Sequence, residues 1–264
     1  MRYDFIRIEK NNGIAIVRFD SKKDLNPLSF GVMRELKAVA DGFQDDSEIH
    51  VVVLSGTSRA FTAGLDLGDA EIHNLINAPI GEKRQAAALG AHMCRAWERM
   101  PQITISAIEG MCIGGGVSLS VACDFRVLRH GAYFQIPELK LGFNMSWQTI
   151  PRLTNLIGPS KAKRAILLAE KITAGQALAW GLADYVTKDR TATEKALSLA
   201  ETIGERPPIP VRMTKRAVNA FANAFNEAAS FMDADQFTLT LLTEDHAEGL
   251  TAFLEKRKAH FKGS

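Results

Sequence analysis

Between Ile105 and Leu128 the chain reads ISAIEGMCIGGGVSLSVACDFRVL, with three consecutive glycines, Gly114 to Gly116, set between two apolar runs. Glycine tolerates positive φ and close backbone approach. A helix that follows directs its unpaired N–H groups and the positive end of its dipole to the same point. A strand, a glycine run and a helix in this order can hold a phosphate or an oxyanion, or can simply pack a helix tightly on a strand. The phosphate motifs fail. There is no G-x-G-x-x-G, and although Gly110 and Gly115 have Walker spacing, Gly116 and Val117 follow where Lys and Ser/Thr are needed.

A second loop of the same character precedes it. SGTSRAFTAGLDLGD (55–69) follows another apolar run and carries small residues, Thr62, Ala63 and Gly64, whose amides could be bare. An oxyanion forming on a carbonyl is best held by two N–H donors from separate loops. Two such loops at the ends of neighbouring strands would meet that requirement.

The rest of the first two thirds alternates strand and helix signals. FIRIE (5–9) and GIAIVRF (13–19) flank Asn11–Asn12–Gly13 as a hairpin, and residues 30–43 have helical spacing with Ser29 as N-cap. Residues 49–56, 103–108 and 125–128 read as short buried strands, 83–100 as a helix, and 117–123 as a short helix after the glycines. This predicts an α/β core whose loops gather at one edge of a sheet. From Ser160, itself the expected N-cap, the pattern becomes helical: 160–170, 173–180, 191–204, 210–225, 227–242 and 244–260, with a break at Pro207, Pro208 and Pro210. Apolar faces such as FANAFNEAASFM and QFTLTLL exceed what one small sheet domain could cover, so packing on neighbouring subunits is expected. The division predicted is a core over 1–205 and a helical region for packing and trimerisation over 206–264.

Composition removes several classes. Lys plus Arg, 32, nearly balance Asp plus Glu, 30, in a chain of 264 residues, so no global field selects a nucleic acid. No apolar stretch is long enough to span a bilayer, the first residues lack a signal-peptide core, and a cytoplasmic setting without membrane partners is expected. Cys94, Cys112 and Cys123 fit neither a disulfide framework nor a metal site and read as buried hydrophobes. The histidines at 50, 73, 92, 130, 246 and 260 show no ligand spacing, so no metal is expected. GVSLS lacks the final glycine of a serine-hydrolase elbow.

Taken together, GTSRAFTAGLDL, the glycine segment, FQIPELKLGF and FLEKRKAHF resemble the enoyl-CoA hydratase/isomerase (crotonase) superfamily, as do LNPLS and ITAGQALAWGLADYVT. The resemblance runs through essentially the whole chain. It implies an α/β fold, the crotonase-type spiral of ββα units with a C-terminal helical region, assembled as a homotrimer or homohexamer. It also implies an acyl-CoA thioester substrate, with no cofactor beyond the coenzyme A that the substrate carries. The oxyanion-hole amides would fall on Leu65 and Gly115. Ala63, Gly64, Asp66 and Leu67 would bind the coenzyme A moiety, with Gly114, Ser118 and Trp147 also at the substrate.

Hydratases of this family use two glutamates. The second corresponds to Glu138 in FQIPE, and the first corresponds to Ser118. Hydration must activate water and protonate the α-carbon, work that two carboxylates share. Enoyl-CoA isomerases that move a double bond from position 3 to position 2 keep only the second acid, and this sequence has that pattern. The aspartate that dienoyl-CoA isomerases place eight residues beyond it is Ser146 here. Catalytic roles are therefore expected at Glu138, Leu65 and Gly115, with Met145 and Trp147 shaping the acyl pocket. A single-glutamate hydratase and a non-catalytic acyl-CoA-binding protein are the alternatives.

Overall fold

The computed structural model describes residues 3–75 and 78–264; the side chain of His73 also lies outside the description. The chain opens with β1 (Ile6–Asn11) and β2 (Ile14–Phe19), paired antiparallel across the Asn12–Gly13 turn, then α1 (Phe30–Gly42), capped by Ser29 Oγ accepting from the Val32 N–H. Two strands and a helix then recur. β3 (Val51–Ser55) and β4 (Ala60–Thr62) precede α2 (Ala70–Leu75) and α3 (Ile80–Arg99). β5 (Ile103–Ile108) and β6 (Met111–Ile113) precede α4 (Gly115–Val121). β7 (Phe125–Arg129) and β8 (Tyr133–Gln135) precede a 3-10 turn (Glu138–Leu141) and α5 (Thr149–Leu168).

The two strands of each later pair part company. A six-stranded sheet takes β1, β2, β3, β5, β7 and then β10 (Tyr185–Thr187), parallel from β2 onward. A four-stranded sheet takes β4, β6, β8 and β9 (Ile172–Thr173), the first three parallel. This is the spiral of ββα units. In the middle of the larger sheet both faces are covered, which is why β3 reads as an apolar run and β5 is buried throughout. Val51, Val53, Ile103 and Ile105 pack with Ala192, Ala196 and Ala200 of α7 (Ala192–Gly204), while Val52 and Leu54 face the main core.

The second sheet corrects the expectation that the glycine loop issues from the 103–108 strand. Strands of three residues are too short to show a period of two, yet β6 feeds the glycines and β4 feeds the 63–67 loop. Other boundaries also move. The short helix begins at Gly115, two residues early. Ser160 is not a cap: Gly158, at φ 75, interrupts α5 and Pro159 follows, which leaves Ser160 inside the resumed helix. After α6 (Ala174–Trp180), β10 and α7, the prolines start α8 (Pro208–Ala222) rather than merely breaking the chain. The helix expected over 227–242 is two, α9 (Asn226–Ser230) and α10 (Asp233–Thr240). Finally α11 (Glu244–Leu254) ends six residues early, because Lys256 takes φ 55 and the Arg257 N–H returns to the Ala252 carbonyl.

Asn26, from the LNPLS segment, joins the two sheets. Its Oδ1 accepts from the Ser21 N–H at 2.7 Å and its Nδ2 donates to the carbonyls of Phe19 and Phe61, at 3.1 and 2.8 Å. The rings of Phe19 and Phe61 meet edge to face beside it, with centroids 5.2 Å apart. Asn26 is fully buried, so Asn26→Leu strands one amide and two carbonyls without partners. The expected loss, read by urea denaturation, is about 2–5 kcal/mol.

Candidate active site

Because β4, β6 and β8 are adjacent and parallel, their C-terminal ends lie along one edge of the small sheet and their following loops stand side by side. In the first loop most amides are used locally. Ala63 donates to the Leu25 carbonyl, Gly64 to Thr62 Oγ1, Asp66 to the Leu28 carbonyl and Gly68 to Asp66 Oδ1. The Leu65 N–H has no acceptor among the described residues. In the second loop Gly114 donates to the Gln135 carbonyl at 2.9 Å, and the Val117 and Ser118 amides return to the Gly114 carbonyl. The Gly115 N–H, like that of Leu65, is left without an acceptor. The loops touch: a Cβ on Gly64 would lie 2.9 Å from the Ile113 carbonyl oxygen and 3.7 Å from the Gly115 nitrogen. Two bare amides from separate loops are what an oxyanion needs.

The third loop brings in the acid. Glu138 is buried at the start of the 3-10 turn, with Oε2 unpartnered, and its Oε1 lies 2.5 Å from where a Cβ on Gly114 would be. Gly114 has φ 53, so both conformation and space require glycine there. Burial pushes the Glu138 carboxyl up from 4.5 to about 7, partly opposed by a backbone hydrogen bond.

Ser118 lines the same cavity as Glu138 and is buried. Thr149 Oγ1 lies 2.6 Å from the Ser146 carbonyl, which can only accept, so the threonine proton is committed there. The 2.7 Å bond between the two hydroxyls is therefore donated by Ser118. Beyond them the Trp147 indole lies on Gly115, where a Cβ would come within 2.7 Å of its Cη2.

These groups share one cavity of about 460 Å³. Ala63, Gly64, Leu65, Leu67, Gly114, Gly115, Ser118, Glu138 and Trp147 all line it. Asp66 does not: Lys23 Nζ holds its Oδ2 at 2.6 Å, and the carboxylate serves the turn. The cavity is also lined by Leu25, Phe143, Phe237 and Phe253, which sequence reasoning missed. Phe237 and Phe253 come from α10 and α11, so the C-terminal helices contribute to the cavity.

The enoyl-CoA hydratase/isomerase family model matches residues 9–264. The chain belongs to this family. A crotonyl-CoA hydratase of Syntrophomonas wolfei is 32% identical over 262 residues, covering 99% of both chains. A mitochondrial enoyl-CoA hydratase of Pongo abelii is 32% identical over 256 residues, covering 96% of this chain and 85% of that one. Among solved structures, an enoyl-CoA hydratase/isomerase from Xanthobacter autotrophicus Py2 matches with a TM-score of 0.86 at 27% identity, covering 96% of this chain and 94% of that one.

The protein is thus an acyl-CoA enzyme of the crotonase superfamily. Among the described residues no cluster of His, Cys, Asp or Glu is placed to hold a metal ion, and no helix is long and apolar enough to cross a membrane. The three cysteines are free and buried, and burial pushes the thiols of Cys94 and Cys123 up to about 12.

For this crotonase-superfamily member the buried acid links the site to stability. Between about pH 4.5 and 7 folded Glu138 keeps a proton that the unfolded carboxyl has lost. Its contribution is complete below that window and is lost as the pH rises through it. Glu138→Gln cannot ionise, so it should exceed the wild type in stability above pH 7, by up to about 3 kcal/mol. The difference should vanish near pH 4, and urea denaturation across this range reads it.

Proposed function

We propose that this enzyme shifts the double bond of an enoyl-CoA from position 3 to position 2. The observation that carries the reading is the single carboxylate: Glu138 is the only acid lining the cavity among the described residues, and the residue across from it is a serine. The thioester oxygen accepts the N–H groups of Leu65 and Gly115. Glu138 takes a proton from C2, which gives a dienolate whose charge the two amides hold. The same carboxyl returns the proton at C4, so the double bond moves with no net gain or loss of atoms. A pKa of about 7 suits a group that must take and give a proton near neutrality. Ala63, Gly64 and Leu67 would hold the coenzyme A moiety. Asp66, tied to Lys23, supports that loop rather than touching the substrate.

A second reading is 2-enoyl-CoA hydration, which the names of the curated relatives favour. Under it Glu138 would act alone on a water molecule beside Ser118. Chromatography and mass measurement of products from paired 2-enoyl- and 3-enoyl-CoA substrates separate the two. The isomerase converts the 3-enoyl to the 2-enoyl compound at unchanged mass, whereas hydration adds one water. Glu138→Gln should keep acyl-CoA binding and lose roughly 10²–10⁴-fold in turnover. Ser118→Glu, which adds the second carboxylate, should gain hydration. Wild-type hydration as fast as isomerisation would overturn the one-acid mechanism.

We further propose that residues 206–264 pack between subunits of a trimer or hexamer. Met213, Val218, Phe221, Phe225, Phe231 and Leu239 are exposed on the single chain, and this area of large apolar side chains supports burial in an assembly. Sedimentation at micromolar concentration should give the trimer or hexamer; a monomer would refute it.

A further inference from the structure

Two cavities meet at one side chain. Behind the site lies a second cavity of about 280 Å³, and both are walled by Ser146 and Trp147. The indole forms the partition. Its six-membered ring lies on Gly115, and the opposite part of the ring system occupies the place that a Cβ on Gly90 of α3 would take. Across it, the second cavity is walled by Ala87, Ala88 and Ala91 of the same helix and by charged residues, Arg84, Arg95, Glu227 and Asp233.

The partition is held firmly. Trp147 and Gln148 both lie in the left-handed region, at φ 60 and 59. Arg152, buried, donates through Nη1 to the Trp147 carbonyl at 2.8 Å and through Nε to Glu98 at 2.7 Å. The Gln148 N–H donates to Asp233 Oδ2 at 2.7 Å. These bonds hold the backbone from which the indole projects, and the ring itself is packed between Gly115 and Gly90.

We propose that Trp147 closes the acyl end of the site, so that the enzyme selects short-chain acyl-CoA thioesters. Removing the indole would free the volume that its six-membered ring fills between Gly115 and Gly90, and a longer chain would enter there. The inference rests on the reading in which the Leu65 and Gly115 amides hold the thioester. The indole is in contact with Gly115 itself, so an acyl chain running from that amide toward α3 meets the ring within a few carbons. In an open pocket each additional buried methylene would favour binding about fourfold. Against a closed wall that gain stops, and further carbons must be left in water or force the packing apart.

The test is calorimetric binding of saturated butanoyl-, hexanoyl-, octanoyl- and decanoyl-CoA, with turnover of the matching enoyl-CoA series. Wild-type affinity and kcat/KM should be highest at butanoyl or hexanoyl and at least about tenfold lower at decanoyl. Trp147→Ala should move the optimum to longer chains and raise decanoyl binding by about tenfold or more, while Trp147→Phe, which keeps a smaller plug, should move it less. Wild-type binding that strengthens steadily to decanoyl-CoA would overturn the proposal even if neither variant folds. So would a folded Trp147→Ala with an unchanged profile. Failure to bind acyl-CoA of any length would overturn the site reading together with this inference. The expected binding profile without double-bond migration would support the closed pocket and refute the isomerase reading alone.

Discussion

The hydrogen bond from the Gly114 amide to the Gln135 carbonyl ties the end of β6 to the end of β8, and the site is organised around it. With that amide engaged and the chain at φ 53, α4 starts at the next residue, and the Gly115 N–H is the first amide with no acceptor. On the same glycine the missing side chain leaves the space that the Glu138 carboxyl fills. A free N–H and a buried carboxyl thus stand beside one residue. Any larger side chain at position 114 would clash with the acid and strain the turn together.

Burial does two things to Glu138. It costs stability progressively as the pH rises from about 4.5 through the raised pKa of about 7, and it gives the group comparable populations of base and acid near neutrality. A carboxylate beside Lys or Arg would stay ionised and could not return a proton. Among the described residues the one cation lining the cavity is Lys140, whose Nζ donates to the Ala169 carbonyl at 3.1 Å. Ser118, which also lines the cavity, is hydrogen-bonded to Thr149, and neither group shifts a neighbouring carboxyl by charge. The acid is poised by desolvation, and a second carboxylate at position 118 would change its titration as well as its partner.

What could be read from the sequence follows how local the determining interactions are. Residues 49–56, 103–108 and 125–128 announced themselves because strands buried on both faces are mostly apolar. Ser29 could be read as a cap because its bond reaches only to Val32. The three-residue strands that set the active edge left no period to detect, and their pairing joins segments far apart in the chain. A glutamate after proline in a loop is ordinarily solvated, and only the resemblance singled out Glu138, since nothing near it in sequence reports its burial. Asp66 was expected at the substrate, but its partner Lys23 lies 43 residues away. Phe237 and Phe253 reach the cavity from the last helices, and their apolar character read as surface for a neighbour rather than as a wall of the site.

The same distinction explains why the wall at Trp147 uses charge inside the protein. Two consecutive non-glycine residues at positive φ carry a conformational cost that local sequence does not offset. An aliphatic side chain at position 152 could fill the volume but could not donate to the Trp147 carbonyl. Arg152 supplies several donors in a fixed plane, and Glu98 on α3 neutralises it where it is buried. A buried ion pair is a weak source of net stability, because desolvation offsets most of the attraction. Its value here is directional: it joins α3, α5 and the strained 147–148 segment in one arrangement. That arrangement fixes the backbone from which the indole reaches Gly115, so the amide left free by the Gly114 turn lies beside a ring whose attachment is held by three elements.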